Sequence, residues 1–260
     1  MKILAVANQK GGVAKTTTTF NLGAALAINH GKKVLLIDLD PQANLSEYLG
    51  YTEDKKPTMT DLIAAVVSNA AVSAETVKSA VRTNPENKLD YIPADINLAN
   101  AETIMATALA RESILKRILS QSVTQDYDYV LIDCLPSLGI LLINALTAAD
   151  GEIIPVQTQK FSMDGLSTLT SLHEQIRNTI NPELHLLGVL PTMTENTTVS
   201  RNALQTLTDR YGDTLFRTTI HKSVEAAKST ESGKALCRTK NRPGEEYSAL
   251  AVEICERCAG

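Results

Sequence analysis

The amino-acid sequence predicts a three-layer α/β fold, a mostly parallel, twisted sheet flanked by helices. Three observations predict it. Short apolar runs ending in an acid, at 33–38 and 127–133, have the length of buried strands. Stretches of helical periodicity alternate with such runs along most of the chain. A glycine-containing loop, 8–17, joins the first apolar run, 3–7, to the first helical pattern. Strand, loop and helix in that order are the context a phosphate-binding loop requires.

In chain order, residues 3–7 form the first strand and 15–28 the first helix, with Asn29-His30-Gly31 as its C-terminal stop. Residues 33–38 return as a strand, and this connection length implies parallel pairing through a right-handed crossover. A polar loop is expected over 51–57 and a short capped helix over 60–67; the rest of 51–87 carries little pattern. A strand follows at 89–94. A long helix is expected over 98–119, with Ile104, Leu109, Ile114, Leu115 and Ile118 facing the core. Strand 127–133, helix 140–148, strand 152–157, helix 162–180, strand 184–190 and helix 199–210 continue the alternation. A last amphipathic helix over 243–258 is expected to dock on the sheet.

A chain of 260 residues suits one domain over 1–260. A domain that large buries about three quarters of its unfolded surface and needs no disulfide staples. No apolar segment approaches a membrane span, and the first residues pass from strand to loop without a cleavable leader. The expectation is a protein of the cell interior. Cys134, Cys237, Cys255 and Cys258 lack a secreted-framework spacing and are expected as thiols. Cys255 and Cys258 form a lone C-x-x-C, two of the four ligands that a structural zinc site takes, so incidental cysteines are the simpler reading.

The chemistry gathers in three segments. Gly11 and Gly12 let the backbone approach a phosphate, Lys15 can reach terminal phosphates, and the Thr16 hydroxyl can join a Mg²⁺ shell. Gln9 and Ala14 stand where the pattern G-x-x-x-x-G-K-[ST] has its glycines. Asp38 and Asp40 follow the second strand, and ligands of open α/β sheets bind beyond the carboxyl ends of strands. By themselves those acids could equally cap the following turn. Asp133 ends another apolar strand in the manner of a Walker B acid.

Lys10 before the two glycines makes K-G-G-V-x-K-T-T, which resembles the deviant loop of the ParA and MinD family of P-loop NTPases. The longer string N-Q-K-G-G-V-x-K-T-T is similar to the family's partition-ATPase branch. Residues 38–42 resemble its first switch, D-x-D-P-Q. Residues 134–139 resemble its second, Cys-Pro-Pro-Ser-Leu-Gly, with Leu135 in place of the first proline. Residues 220–224 are similar to Ile-Pro-Arg-Asn-Val, although His221, Glu225, Ala226, Ala227 and Lys228 depart from the usual residues.

The resemblance implies a Mg²⁺-dependent ATPase that forms a homodimer around two ATP molecules. Gly11, Gly12, Val13, Ala14, Lys15, Thr16 and Thr17 would hold the nucleotide. Thr16, Asp38 and Asp133 would arrange the metal, Asp40 would orient the attacking water, and Lys10 would reach the partner's nucleotide. Partition members bind DNA without sequence preference as ATP dimers and respond to a ParB-type centromere-binding adaptor. The implied setting is the nucleoid of a bacterial cytoplasm, with a plasmid or chromosome as cargo.

Charge distribution bears on the DNA. The chain carries −4, but residues 201–242 hold nine Lys or Arg against four acids, which leaves −9 for the remainder. Arg201, Arg217, Lys222, Lys228, Lys234, Arg238, Lys240 and Arg242 are the candidate phosphate contacts. On the sequence alone, the stretch reads as well as a solvated surface. Two alternatives share the nucleotide chemistry. A MinD-like membrane-positioning ATPase would need a basic, strongly apolar terminal helix, which 243–258 lacks. An iron–sulfur carrier would hold a cluster between Cys255 and Cys258 of two subunits.

Overall fold

The computed structural model describes residues 1–68, 70, 72–159 and 163–259, with only the backbone of 163 and 164. Strands β1 (Lys2–Val6), β2 (Val34–Leu39), β3 (Arg82–Asn84), β4 (Leu89–Ile92), β5 (Tyr129–Cys134), β6 (Gly151–Gln157) and β7 (His185–Thr192) share one sheet. Their order is β3-β4-β2-β5-β1-β6-β7, parallel throughout except for β3 against β4. The helices are α1 (Lys15–His30), α2 (Asn44–Tyr48), α3 (Met59–Val67), α4 (Ala74–Ala80), α5 (Ala101–Met105) and α6 (Ile114–Leu119). Then come α7 (Ile140–Ala148), α8 (Met163–Thr179), α9 (Thr198–Tyr211), α10 (Val224–Ser232) and α11 (Arg242–Ala259).

Strand side chains alternate between faces, and so the sheet divides the core in two. Leu35, Ile37, Val130 and Ile132 pack with the buried residues of α3, α5, α6 and α7. Val34, Leu36, Tyr129 and Leu131 pack on the other face with α1 and α11. Three layers result, as the sequence predicts. Among the described residues no helix is long and apolar enough to cross a membrane.

The expected helix over 98–119 is a correction. A 3₁₀ turn at Ile96–Asn100 leads into α5, and a second at Arg111–Ser113 into α6. Ala110 between them is left-handed, at φ 50°, and Leu109 is 92 % exposed rather than in the core. The break has a buried cause. Asn144 of α7 donates to the Arg111 carbonyl (2.8 Å) and accepts from the Leu115 N–H (3.0 Å), so its amide meets backbone groups at the start of α6. β3, α4 and α10 arise where the sequence shows no clear period. The expected start of the fifth helix at Ser162 lies outside the described residues.

Two helix stops show how tightly the pieces meet. Gly31 ends α1 at φ 63°, with open space where a Cβ would stand. Gly233 ends α10 at φ 66°, but there a Cβ would lie 2.8 Å from the Tyr48 carbonyl oxygen at the end of α2. Gly31→Ala is therefore expected to cost about 1 kcal/mol from backbone conformation alone. Gly233→Ala should cost at least about 1 kcal/mol more, because α2 and α10 must separate. Denaturant unfolding of both variants checks the difference; equal losses would show that the close approach carries no strain.

Candidate active site

The site forms where β1, β2 and β5 lie side by side and release their chains at the same edge. Val6 is in register with Asp133, and Asp38 with Asp133. The loop leaving β1 is therefore set beside two strand-end acids. Asn8 fixes its entry, donating to the Pro155 carbonyl (2.7 Å) and accepting from the Lys10 N–H (2.9 Å). Thr192 at the end of β7 donates to the Val13 carbonyl (3.0 Å). Gly12 (φ 71°) and Ala14 (φ 69°) both turn left-handed before α1 begins at Lys15.

The two departures from the common loop pattern have different accounts. Gln9 donates its side-chain amide to the Gly165 carbonyl (2.8 Å), tying the loop to the first turn of α8. Ala14 holds a conformation that disfavours a Cβ by about 1 kcal/mol, and the loop keeps it nonetheless. Gly11 and Gly12 would meet nothing within 4 Å if they carried a Cβ. Their space is open to a ligand, in line with the need for a bare backbone there.

Lys15 is buried, and its Nζ donates to the Lys10 carbonyl (3.1 Å). Burial lowers its pKa, while Asp133, Cys134 and Asp40 act to raise it. Lys10 is half-buried on the same loop. Asp133 is fully buried; its Oδ1 accepts from the Thr19 hydroxyl (3.3 Å), and its Oδ2 has no hydrogen-bond partner. Burial above all, then the neighbouring Asp38, pushes its pKa well above the usual carboxylate range, and the Thr16 hydroxyl opposes that shift. A buried oxygen without a partner, beside a threonine hydroxyl, is the hard-oxygen donor set that suits Mg²⁺.

Asp38 is used differently. Its Oδ1 accepts from the Asp40 N–H (3.0 Å), and its Oδ2 from the N–H (2.9 Å) and hydroxyl (2.7 Å) of Ser46. Burial raises its pKa to about 6 against those three bonds. With three bonds on its oxygens, Asp38 is suited to reach a metal through water rather than directly. Asp40 is half-buried, and its Oδ1 accepts from the Gln42 N–H (2.9 Å). Thr17 lies half-buried in the first turn of α1.

Comparison with known proteins agrees with this geometry. A family model described as an AAA domain matches residues 1–186. The sporulation initiation inhibitor protein Soj of Bacillus subtilis is 40 % identical over 256 residues, covering 97 % of this chain and 98 % of that protein. The chromosome-partitioning ATPase Soj of Treponema pallidum is 37 % identical, covering 98 % of each. The chain belongs to the ParA/Soj family of chromosome-partitioning ATPases. A solved relative, named cobyrinic acid a,c-diamide synthase from Mycobacterium smegmatis, contains an ATP analogue and magnesium. It matches this ParA/Soj chain at 35 % identity with a TM-score of 0.84, over 99 % of this chain and 95 % of that one.

The candidate DNA contacts of this ParA/Soj ATPase divide into two sets. Arg217 pairs with Glu256 and Glu253, Lys222 with Glu195 (2.8 Å), Lys234 with Glu86 (3.7 Å) and Arg242 with Glu246 (2.9 Å). Arg201, Lys228, Arg238 and Lys240 are exposed and form no ion pair among the described residues. Sequence reasoning missed Asn8, Thr19 and Ser46. Each acts on a partner remote in sequence, or on a backbone atom, which local spacing does not display.

The paired acids set a pH dependence. A raised folded pKa stabilises the fold below the unfolded value and loses that contribution as pH rises through the folded one. Stability of the nucleotide-free chain should thus gain from Asp38 near pH 4 and lose that gain by about pH 6. Should Asp38 act on the metal as a carboxylate, binding of Mg²⁺ with nucleotide is expected to weaken as pH falls through about 6. Asp133→Asn should raise the Tm of the nucleotide-free chain by about 3 °C while abolishing Mg²⁺-dependent hydrolysis. A lowered Tm would show that the buried charge is not a burden.

Proposed function

We propose that this chain hydrolyses ATP to ADP and phosphate as a Mg²⁺-dependent homodimer, and that the ATP-bound dimer holds DNA without sequence preference. A ParB-type centromere-binding adaptor stimulates turnover, and the protein works on the nucleoid in the bacterial cytoplasm. The observation that carries the reading is buried Lys15 on a loop beside Asp133, whose Oδ2 has no partner. Lys15 binds the terminal phosphates and Asp40 orients the attacking water. Lys10 enters the partner's site when two loops face each other. Thr16 and Asp133, with Asp38 beside them, would hold Mg²⁺, which when bound would supply neutralisation of phosphate charge. Positioning and charge neutralisation are most of what phosphoryl transfer needs.

DNA contact is assigned first to Arg201, Lys228, Arg238 and Lys240, which are exposed and form no ion pair among the described residues. Duplication in a dimer strengthens a weak patch. Two rivals are less well supported. The apolar residues Tyr247, Leu250, Ala251 and Ile254 of α11 are buried in the core that includes α1, which leaves little for a lipid surface. The Cys255 sulfur accepts from the hydroxyl of Tyr129, at the opposite end of β5 from Asp133 and about 13 Å along the strand. Burial also pushes the Cys258 thiol up to about 11, so it stays protonated. That raises the cost of the thiolate that Cys258 would have to become as a cluster ligand.

Asp40→Ala should bind ATP, hydrolyse it at least about 100-fold more slowly, and retain non-specific DNA with ATP but not with ADP. Retention should fall steeply with salt, and less steeply once Arg201, Lys228, Arg238 and Lys240 are replaced by Ala. Filter retention at several salt concentrations makes the measurement. An ATP dimer that ignores DNA would leave the nucleotide chemistry standing and remove DNA as cargo.

A further inference from the structure

The loop that carries Asp40 is held at both ends by one buried carboxylate. Asp38 Oδ1 accepts from the N–H of Asp40 at its start, and Oδ2 accepts from the N–H and hydroxyl of Ser46 in the first turn of α2, the helix that follows it. Ser46 does a second thing. Its Oγ accepts from the Ala94 N–H (3.0 Å) just beyond β4. That N–H lies past the last ladder pair of β2 with β4, Ile37 with Ile92, and so has no strand partner. The hydroxyl is completely buried, and its one proton is directed at Asp38.

The far end of this chain of bonds is itself fixed. The Pro93 carbonyl accepts from the Met59 N–H (2.9 Å). Asp95 accepts from the hydroxyls of Thr58 (2.5 Å) and Thr60 (3.1 Å) at the start of α3. A run of hydrogen bonds, buried around Ser46 and partly buried at either end, thus leads from α3 and the end of β4, through Ser46 and Asp38, to the backbone of Asp40. Nothing in the family assignment, or in the residue pattern that led to it, gives Ser46 a task.

We propose that Ser46 is a positioning residue for hydrolysis: its hydroxyl links Asp38 to Ala94 and so sets where Asp40 presents its carboxylate to water. The proposal rests on the reading of Asp40 as the water-orienting group. Ser46 touches no substrate; it acts through Asp38 and the loop. Losing the hydroxyl leaves the Ala94 N–H unpaired and releases one of the three bonds on Asp38. The loop end then has freedom that the reacting geometry does not tolerate, and a misplacement of about 1 Å can cost on the order of 100-fold.

Ser46→Ala, Ser46→Thr and Asp40→Ala are compared with the parent for steady-state hydrolysis of ATP, and for binding of ADP with Mg²⁺ by calorimetry. The expected result for Ser46→Ala is a kcat lower by about 10- to 100-fold, with KM and ADP affinity within about threefold of the parent. Ser46→Thr restores the hydroxyl and should recover most of kcat. A kcat for Ser46→Ala within twofold of the parent overturns the proposal. So does equal loss in the Ala and Thr variants, or loss of ADP binding along with kcat, because either means packing rather than the hydroxyl. If Asp40→Ala hydrolyses ATP normally, the reading of Asp40 fails instead, and the two failures are told apart.

Discussion

Two carboxylates in register at the ends of adjacent central strands are the constraint on which the rest depends. Asp38 and Asp133 are both 1 % exposed, and neighbouring strands lie only about 4.8 Å apart. Two full charges at that separation repel by about 3 kcal/mol, even at an effective dielectric constant of 20. The fold answers with unequal treatment. Asp38 receives three hydrogen bonds, and Asp133 receives one on one oxygen and none on the other. Lys15 is close enough for its charge to favour the ionised form of Asp133. The centre is thus short of positive charge until a cation arrives, and its stability and its chemistry pull in opposite directions.

The loop beside those acids is strained where it must be and tethered where it can be. Ala14 keeps a left-handed backbone without the freedom of glycine, at the residue before Lys15. The surroundings hold it: Asn8, Gln9 and Val13 are bonded to residues of β6, α8 and β7. The Gln9 tether also accounts for Gly165, where a Cβ would lie 2.9 Å from the Gln9 amide nitrogen. Loop and sheet half are one network, so a substitution at Gly165 acts on the phosphate loop from a distance of 156 residues in sequence.

The sequence made legible whatever depends on short-range order. Buried strands are brief apolar runs, and α1, α7, α9 and α11 keep their period from end to end, so their places were readable to within two residues. The three chemical segments were readable because each pairs a strand end with a polar residue. What was hidden depends on contacts across the chain. Periodicity over 98–119 persists through a break that Asn144 imposes from another helix, and it wrongly placed Leu109 in the core. The eight basic residues look alike in sequence; four turn out to face acids, of which only Glu246 is within four residues of its partner.

The position of the exposed cations follows from the helices that carry the nucleotide loop. Asn21 of α1 accepts from the Leu236 N–H (2.8 Å), and Asn87 both donates to the Gly233 carbonyl (2.8 Å) and accepts from the Ala235 N–H (3.1 Å). Tyr48, at the end of α2, sets its carbonyl against Gly233 and its ring edge-on to Phe20 of α1. The segment bearing Lys228, Arg238 and Lys240 is therefore bolted to α1, which begins at Lys15, and abuts α2, which contains Ser46. A ligand shifts a distant surface only through elements whose packing it favours unequally. Here the elements are two: one helix from the phosphate loop, through Asn21, and one from the Asp40 loop, through Tyr48, both packed on the same basic segment.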